Sequence, residues 1–261
     1  MQTSAIKTLV AAGPTLNLAL IGNCAVSALV DTQARLLWCC MPRFDSPPVF
    51  RGLLEADVYA QSAGQFRVEL EGLVRTEQAY EPGTAVLRTR LFDAAGQGVE
   101  ITDFAPRFPH HERMFRPAQL VRRVRPLAGH ARIRIVVEPV AGWSKEDVPR
   151  TRGSNHLRFL LPQQTLRLTT DAPLAYVVDQ TWFSLQTPIS LLLGPDETLD
   201  GGVELTARWM EESTVREWRE WTRRLALPYE WQADRGLQRE PGLVDDVGQR
   251  RIGGQAQRLL W

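Results

Sequence analysis

Short apolar runs and strict alternation of apolar with polar residues dominate the chain from Leu16 onward. Residues 18–21 and 25–30 are apolar and flank Gly22-Asn23, a pairing that reads as a tight connection between two strands. Asp31-Thr32-Gln33 is a second turn, and residues 36–40 (Leu-Leu-Trp-Cys-Cys) are apolar on both faces, as in a strand covered on two sides. Further strand candidates lie at 65–70, 85–92 and 99–104. Val86, Arg88 and Arg90 alternate with Leu87, Thr89 and Leu91, and residues 130–137 alternate in the same way. One polar and one apolar face marks antiparallel strands with one wet side. Residues 120–125 lead into that last strand across Pro126-Leu127-Ala128-Gly129, a hairpin-like connection. Residues 156–161, 165–170, 181–185 and 189–193 continue the series, which Gly194-Pro195-Asp196-Glu197 closes with turn chemistry. This pattern predicts an all-β fold, a large antiparallel two-sheet β-sandwich.

Helical periodicity is predicted from Thr214 to about residue 226. Thr214 and Glu217 have the spacing of a capping box. Val215, Trp218, Trp221 and Leu225 fall on one stripe, and Glu220 and Arg224 sit four apart in the favourable order. Two tryptophans on one stripe require an apolar surface, either the sandwich itself or a neighbouring domain. The pattern then lapses. Residues 233–261 hold five glycines, five arginines and one aromatic, Trp261, which predicts a disordered or loosely attached tail.

Between the buried strand at 36–40 and the next one lies Pro42-Arg43-Phe44-Asp45-Ser46-Pro47-Pro48. Proline fixes its own φ and excludes the helical region for the residue before it, so 42–48 is a stiff extended loop. A stiff loop bearing Arg, Phe and Asp suits docking, because little ordering entropy remains to be lost. The alternative is structural: Phe44 as a buried anchor, with an Arg43–Asp45 ion pair holding the turn.

Composition narrows the function. With 31 basic and 30 acidic residues among 261, the net charge is +1, which gives no electrostatic case for nucleic acid or an anionic membrane. The Arg-x-Arg pairs on strands read as a solvated sheet face. Cys24, Cys39 and Cys40 make an odd count, and adjacent Cys39 and Cys40 would point to opposite faces of a strand. Buried thiols in a reducing compartment follow. The N-terminus has no sustained apolar run, so neither signal peptide nor membrane span is expected, and the default location is cytoplasmic. No phosphate loop, nucleophile elbow, H-E-x-x-H or paired C-x-x-C occurs. His110-His111 with Glu112 reads as a polar loop before a metal site, and the carboxylates at 52–57 and at Glu211-Glu212 define no geometry on their own.

Several stretches taken in series carry a resemblance: 21–24, 42–47, Tyr80-Glu81-Pro82-Gly83-Thr84, 102–107, 114–117, 121–126, 218–221 and 225–232. Over residues 16–232 the chain resembles the N-terminal, trehalase-like domain of glycoside hydrolase family fifteen, the glucoamylase, glucodextranase and trehalase-like family. The resemblance implies a β-supersandwich followed by an (α/α)6 barrel, in which two glutamates invert an α-glucosidic bond without metal or organic cofactor. None of those barrel residues has a counterpart here, so no catalytic residue is expected in this chain. The domain organisation it implies is a lead-in at 1–15, the sandwich at 16–210, a helical linker at 211–232 and a tail at 233–261. Family pattern stops after Gln232, as in a frameshifted or truncated product. The natural partners would be an α-glucosidic sugar and the barrel. Arg43, Phe44, Asp45, Ser46 and Pro47 would form a docking or cleft-rim element, and Trp218, Trp221 and Leu225 the packing face of the linker, with apolar surface exposed around both indoles. The competing expectation is a free-standing sandwich that binds carbohydrate or protein.

Overall fold

The computed structural model describes residues 16–55, 64–144 and 146–224. The lead-in at 1–15, part of the 52–57 carboxylate stretch, Leu225 and everything after it, the tail included, lie outside the described residues.

Two antiparallel sheets face one another, as the alternation predicts. The first contains β1 (Leu18–Gly22), β2 (Ser27–Asp31), β3 (Leu36–Cys40), β4 (Pro48–Phe50), β5 (Gln65–Leu70), β12 (Arg132–Glu138) and β16 (Phe183–Ser184). The second runs β13 (Arg150–Arg152), β14 (His156–Leu160), β15 (Thr165–Thr170), β17 (Ile189–Pro195), β11 (Leu120–Ala128), β8 (Gly98–Phe104), β7 (Leu87–Asp93) and β6 (Leu73–Tyr80). A small hairpin, β9 (Phe108–His110) with β10 (Arg113–Phe115), stands apart from both. Among the described residues, a 3-10 turn at Gly52–Leu54 and a short helix α1 (Leu174–Val178) complete the connections.

Alternation places Leu87, Leu91, Ile101, Val124, Leu168 and Leu191 of the second sheet against Val30, Leu36, Phe50, Phe66 and Ile135 of the first. An ion pair shares this interior. Arg122 donates from Nε and Nη2 to the two carboxylate oxygens of Asp103 at 2.7 and 3.0 Å, and from Nη1 to the Phe66 carbonyl of the facing sheet at 2.9 Å. β3 is covered on both faces, with Cys39 and Cys40 buried.

Four expectations change. Residues 126–129 are no hairpin: β11 pairs with β17 and β8, β12 with β5 and β16, so the chain crosses from one sheet to the other there. The long helix, α2, spans Val203–Arg224, beginning eleven residues before Thr214. Thr214 and Glu217 are therefore mid-helix and buried rather than a capping box. The Arg-x-Arg pairs are not simply solvated. Arg88, Arg90 and Arg125 converge on Glu100, whose side chain is wholly buried, and Arg88 and Arg123 reach Glu211 on α2. Cys24 is exposed and only Cys39 and Cys40 fit the buried-thiol expectation.

α2 covers the outer face of the second sheet. Val203, Ala207 and Met210 recur at helical spacing and pack on Val86, Phe104, Phe108, Val121 and Leu192, a second apolar cluster outside the main core. No described helix is long and apolar enough to cross a membrane.

Candidate functional site: the loop end of the sandwich

Strand register fixes which connections meet. β1 ends and β2 begins beside the C-terminal end of β3, where Ala28 faces Cys39. β12 ends opposite the start of β5, at that same end. In the second sheet β6, β8, β14 and β17 end where β7, β11 and β15 begin. Asn23 joins the two sheets' ends by donating to the carbonyls of Pro106 and Pro117 at 2.9 and 2.8 Å. The connections 23–26, 41–47, 81–86, 105–119, 139–144 with 146–149, 161–164 and 196–202 consequently crowd one end of the sandwich. Of the motifs noted in sequence, 21–24, 42–47, 80–84, 102–107 and 114–117 all come to this end.

Loop 42–47 is clamped on both sides. Gln164 Nε2 donates to the Met41 carbonyl at 2.8 Å, Gly142 N donates to the Pro48 carbonyl at 3.1 Å, and Val140 N donates to the Val49 carbonyl at 2.9 Å. Met41-Pro42 is a cis peptide. Within the loop, Arg43 Nε and Nη2 donate to the two Asp45 oxygens at 2.9 and 3.0 Å, and Ser46 N donates to the Arg43 carbonyl at 3.1 Å. The hydrogen bonds from Arg43, with its charge, hold the Asp45 carboxyl below the usual carboxylate range. The ion pair of the structural alternative is thus present, but its buried anchor is not: Phe44 is 66% exposed. The Arg43 guanidinium and the Asp45 carboxylate pair with each other, so the loop presents an aromatic ring on a self-bonded frame. Trp143, 64% exposed, stands on the neighbouring 139–149 connection, its ring 6.2 Å from that of Trp38. Gly142 before it has φ +61°, and a Cβ there would lie 3.0 Å from Pro47 Cβ, so glycine lets the two connections close together.

α2 is bolted to the same end through Arg107. Its backbone N–H donates to Thr214 Oγ1 at 3.1 Å, its Nη1 to Cys24 Sγ at 3.2 Å, and its guanidinium lies 4.7 Å from the Trp218 ring and 3.7 Å from Glu217. Trp218 is 8% exposed and Trp221 half-buried, the two rings meeting edge to face at 5.4 Å. The exposed surface expected around both indoles is absent at Trp218, because Arg107 covers it. Arg219 donates to Glu81 at 2.7 Å and to the Pro82 carbonyl at 3.3 Å, which fixes the 81–86 turn.

Sequence reasoning missed the other half of α2 and what it frames. His110 and His111 sit at the tip of the β9–β10 hairpin, and the His110 ring joins Phe108, Phe115 and Trp209 in an aromatic cluster. Trp209, Leu205 and the 196–202 connection line a cleft of about 530 Å³ with that hairpin. Val203, Ala207, Met210, Thr214 and Trp218 recur every three or four residues, a signal available in the sequence. Among the described residues no group of three or more His, Cys, Asp or Glu is placed to hold a metal ion.

The family profile described as "Trehalase-like, N-terminal" matches residues 10–176, more than half of the chain. A trehalase of Mycolicibacterium smegmatis is 33% identical over 88 residues, covering 30% of this chain and 12% of that protein. Trehalase 1 of Sulfolobus acidocaldarius is 36% identical over 90 residues, 34% of this chain and 15% of that protein. The matched stretch thus spans far less than two thirds of either relative. With the antiparallel two-sheet architecture and the profile match in agreement, the chain belongs to the trehalase-like N-terminal family.

Proposed function

We propose that this chain is the non-catalytic N-terminal module of an inverting α-glucoside hydrolase, trehalase- or glucoamylase-like, within glycoside hydrolase family fifteen. Its loop end docks on the catalytic barrel and shapes the rim of the substrate cleft. The observation that carries this reading is the convergence of 21–24, 42–47, 80–84, 102–107 and 114–117 on one end, with Phe44 exposed on a clamped, self-bonded loop. A ring held out on a pre-organised loop is what a docking surface requires, since burying it on a partner costs little ordering entropy. Arg43, Asp45, Ser46 and Pro47 act by holding that loop. Trp218 and Trp221 anchor α2, which is an integral part of the module rather than a free linker, so the module extends to at least residue 224. The two trehalase relatives support the sugar chemistry of the whole enzyme.

Sedimentation of the purified chain with the catalytic portion of a trehalase relative tests the docking role. Complex formation is expected, with affinity reduced by Phe44→Ala while the melting temperature stays unchanged. Complexes equally strong with Phe44→Ala would remove the loop from the interface. The second reading, a free-standing binding module, is favoured by Trp143, a second exposed ring beside the same loop.

A further inference from the structure

We propose that the cleft between the β9–β10 hairpin, the 196–202 connection and the N-terminal half of α2 binds a neutral pyranose saccharide of one or two rings. The cleft's volume of about 530 Å³ is that of a small-molecule site. Its floor is aromatic. Trp209 is 46% exposed, and its ring is set by the buried Phe108, edge-on at 4.7 Å, and by His110 at 5.8 Å. A half-exposed indole fixed from behind by a buried ring is a flat platform whose position is settled before any ligand arrives. The apolar face of a pyranose fits such a platform, and its hydroxyl edge needs hydrogen-bonding walls.

Those walls are present. Arg167, 5% exposed, lines the cleft and is steadied by Thr169 at 3.0 Å and His156 at 3.2 Å. Gln119, Thr198 and Asp200 add donors and acceptors around the opening. The charges decide the ligand class. Arg167 lies 3.5 Å from Asp196, and Glu197 and Asp200 are carboxylates on the rim, so an anion gains no net attraction. Among the described residues no group of three or more His, Cys, Asp or Glu is placed to hold a metal ion, and a purely apolar ligand would desolvate Gln119, Thr198 and Asp200 without pairing them. A neutral molecule with one apolar face and a hydroxylated edge matches all of these constraints.

This inference goes beyond the docking role of loop 42–47 and stands or falls separately from it. The test is calorimetric titration of the full chain with trehalose and with maltose. Saturable binding of at least one is expected, weakened at least about tenfold by Trp209→Ala and also by Asp200→Asn, and unchanged by Trp143→Ala. Because Trp209→Ala removes a ring packed on Phe108, circular dichroism checks its fold, and the exposed Asp200 gives a reading that folding does not confound. Absence of saturable binding by either sugar, or binding that survives both Trp209→Ala and Asp200→Asn, overturns the proposal. Binding abolished by Trp143→Ala instead would move the site to the other aromatic surface and overturn it equally. The docking test reads complex formation through Phe44, so neither failure implies the other.

Discussion

Asn23 is wholly buried, and its amide is fully used. Nδ2 donates to the Pro106 and Pro117 carbonyls, and Oδ1 accepts from the N–H groups of Ala25 and Val26 at 3.0 and 3.1 Å. One side chain thereby shapes the β1–β2 connection and ties it to the 105–119 segment. Asn23→Ala leaves two carbonyls and two N–H groups without it, and we expect a loss of about 2–4 kcal/mol in urea unfolding. Glu100 sets a second residue-scale expectation. Burial works against its charge, but hydrogen bonds from Arg90 and Arg125 and the charges of Arg125 and Arg88 outweigh that cost, so its carboxyl lies below the usual range. A carboxylate whose folded pKa is depressed adds stability that is fully present above its unfolded value, about 4.3, and lost as pH falls through the folded value. Stability should therefore drop below about pH 4, and Glu100→Gln should flatten that part of the profile while lowering stability at neutral pH. An unaltered acid limb in Glu100→Gln would assign the acid sensitivity elsewhere. Neither role was legible in sequence. Gly22-Asn23 announces a turn, but the amide's partners lie 83 and 94 residues away.

At the scale of elements, α2 shows why the helix start was misplaced. Thr214-x-x-Glu217 has the spacing of a capping box, and that pattern is local. In the structure Thr214 accepts from the Arg107 backbone N–H and Glu217 faces the Arg107 guanidinium, so both serve contacts with a segment over a hundred residues away. The preceding turns carry Glu204, Arg208, Glu211 and Glu212, whose charges mask an apolar stripe of Val203, Ala207 and Met210. Ala207 separates the two readings. In a helix packed on the sheet it is fully buried, and Ala207→Glu should cost more than about 3 kcal/mol; in a loop preceding residue 214 it would be tolerated. Denaturant unfolding of that variant decides the matter. The strands were better legible, because period-two alternation in β7 and β12 reports directly on which face is covered. What alternation does not encode is which strand pairs with which. The 126–129 segment therefore reads as a hairpin although its flanking strands lie in different sheets.

For the whole molecule, topology limits where the module can end. The family match stops at residue 176, yet β17 lies between β15 and β11 in the middle of the second sheet. Without residues 189–195 that sheet would have two open edges inside the sandwich, so the folding unit includes β17, and α2 seals the outer face above it. The loop end was half visible in sequence. Its motifs could be found one by one, but only the strand register brings 21–24, 42–47, 80–84, 102–107 and 114–117 together, and only the folded structure turns Phe44 outward. The cleft at Trp209 had no sequence signature, being assembled from a hairpin, a connection and a helix that the pattern placed too late. We propose that this module docks and binds but does not cleave. Incubating the purified chain with trehalose and with maltodextrin, and measuring released glucose, tests it most directly. We expect no glucose above the protein-free control; turnover that rises in proportion to the concentration of the chain would contradict a non-catalytic role.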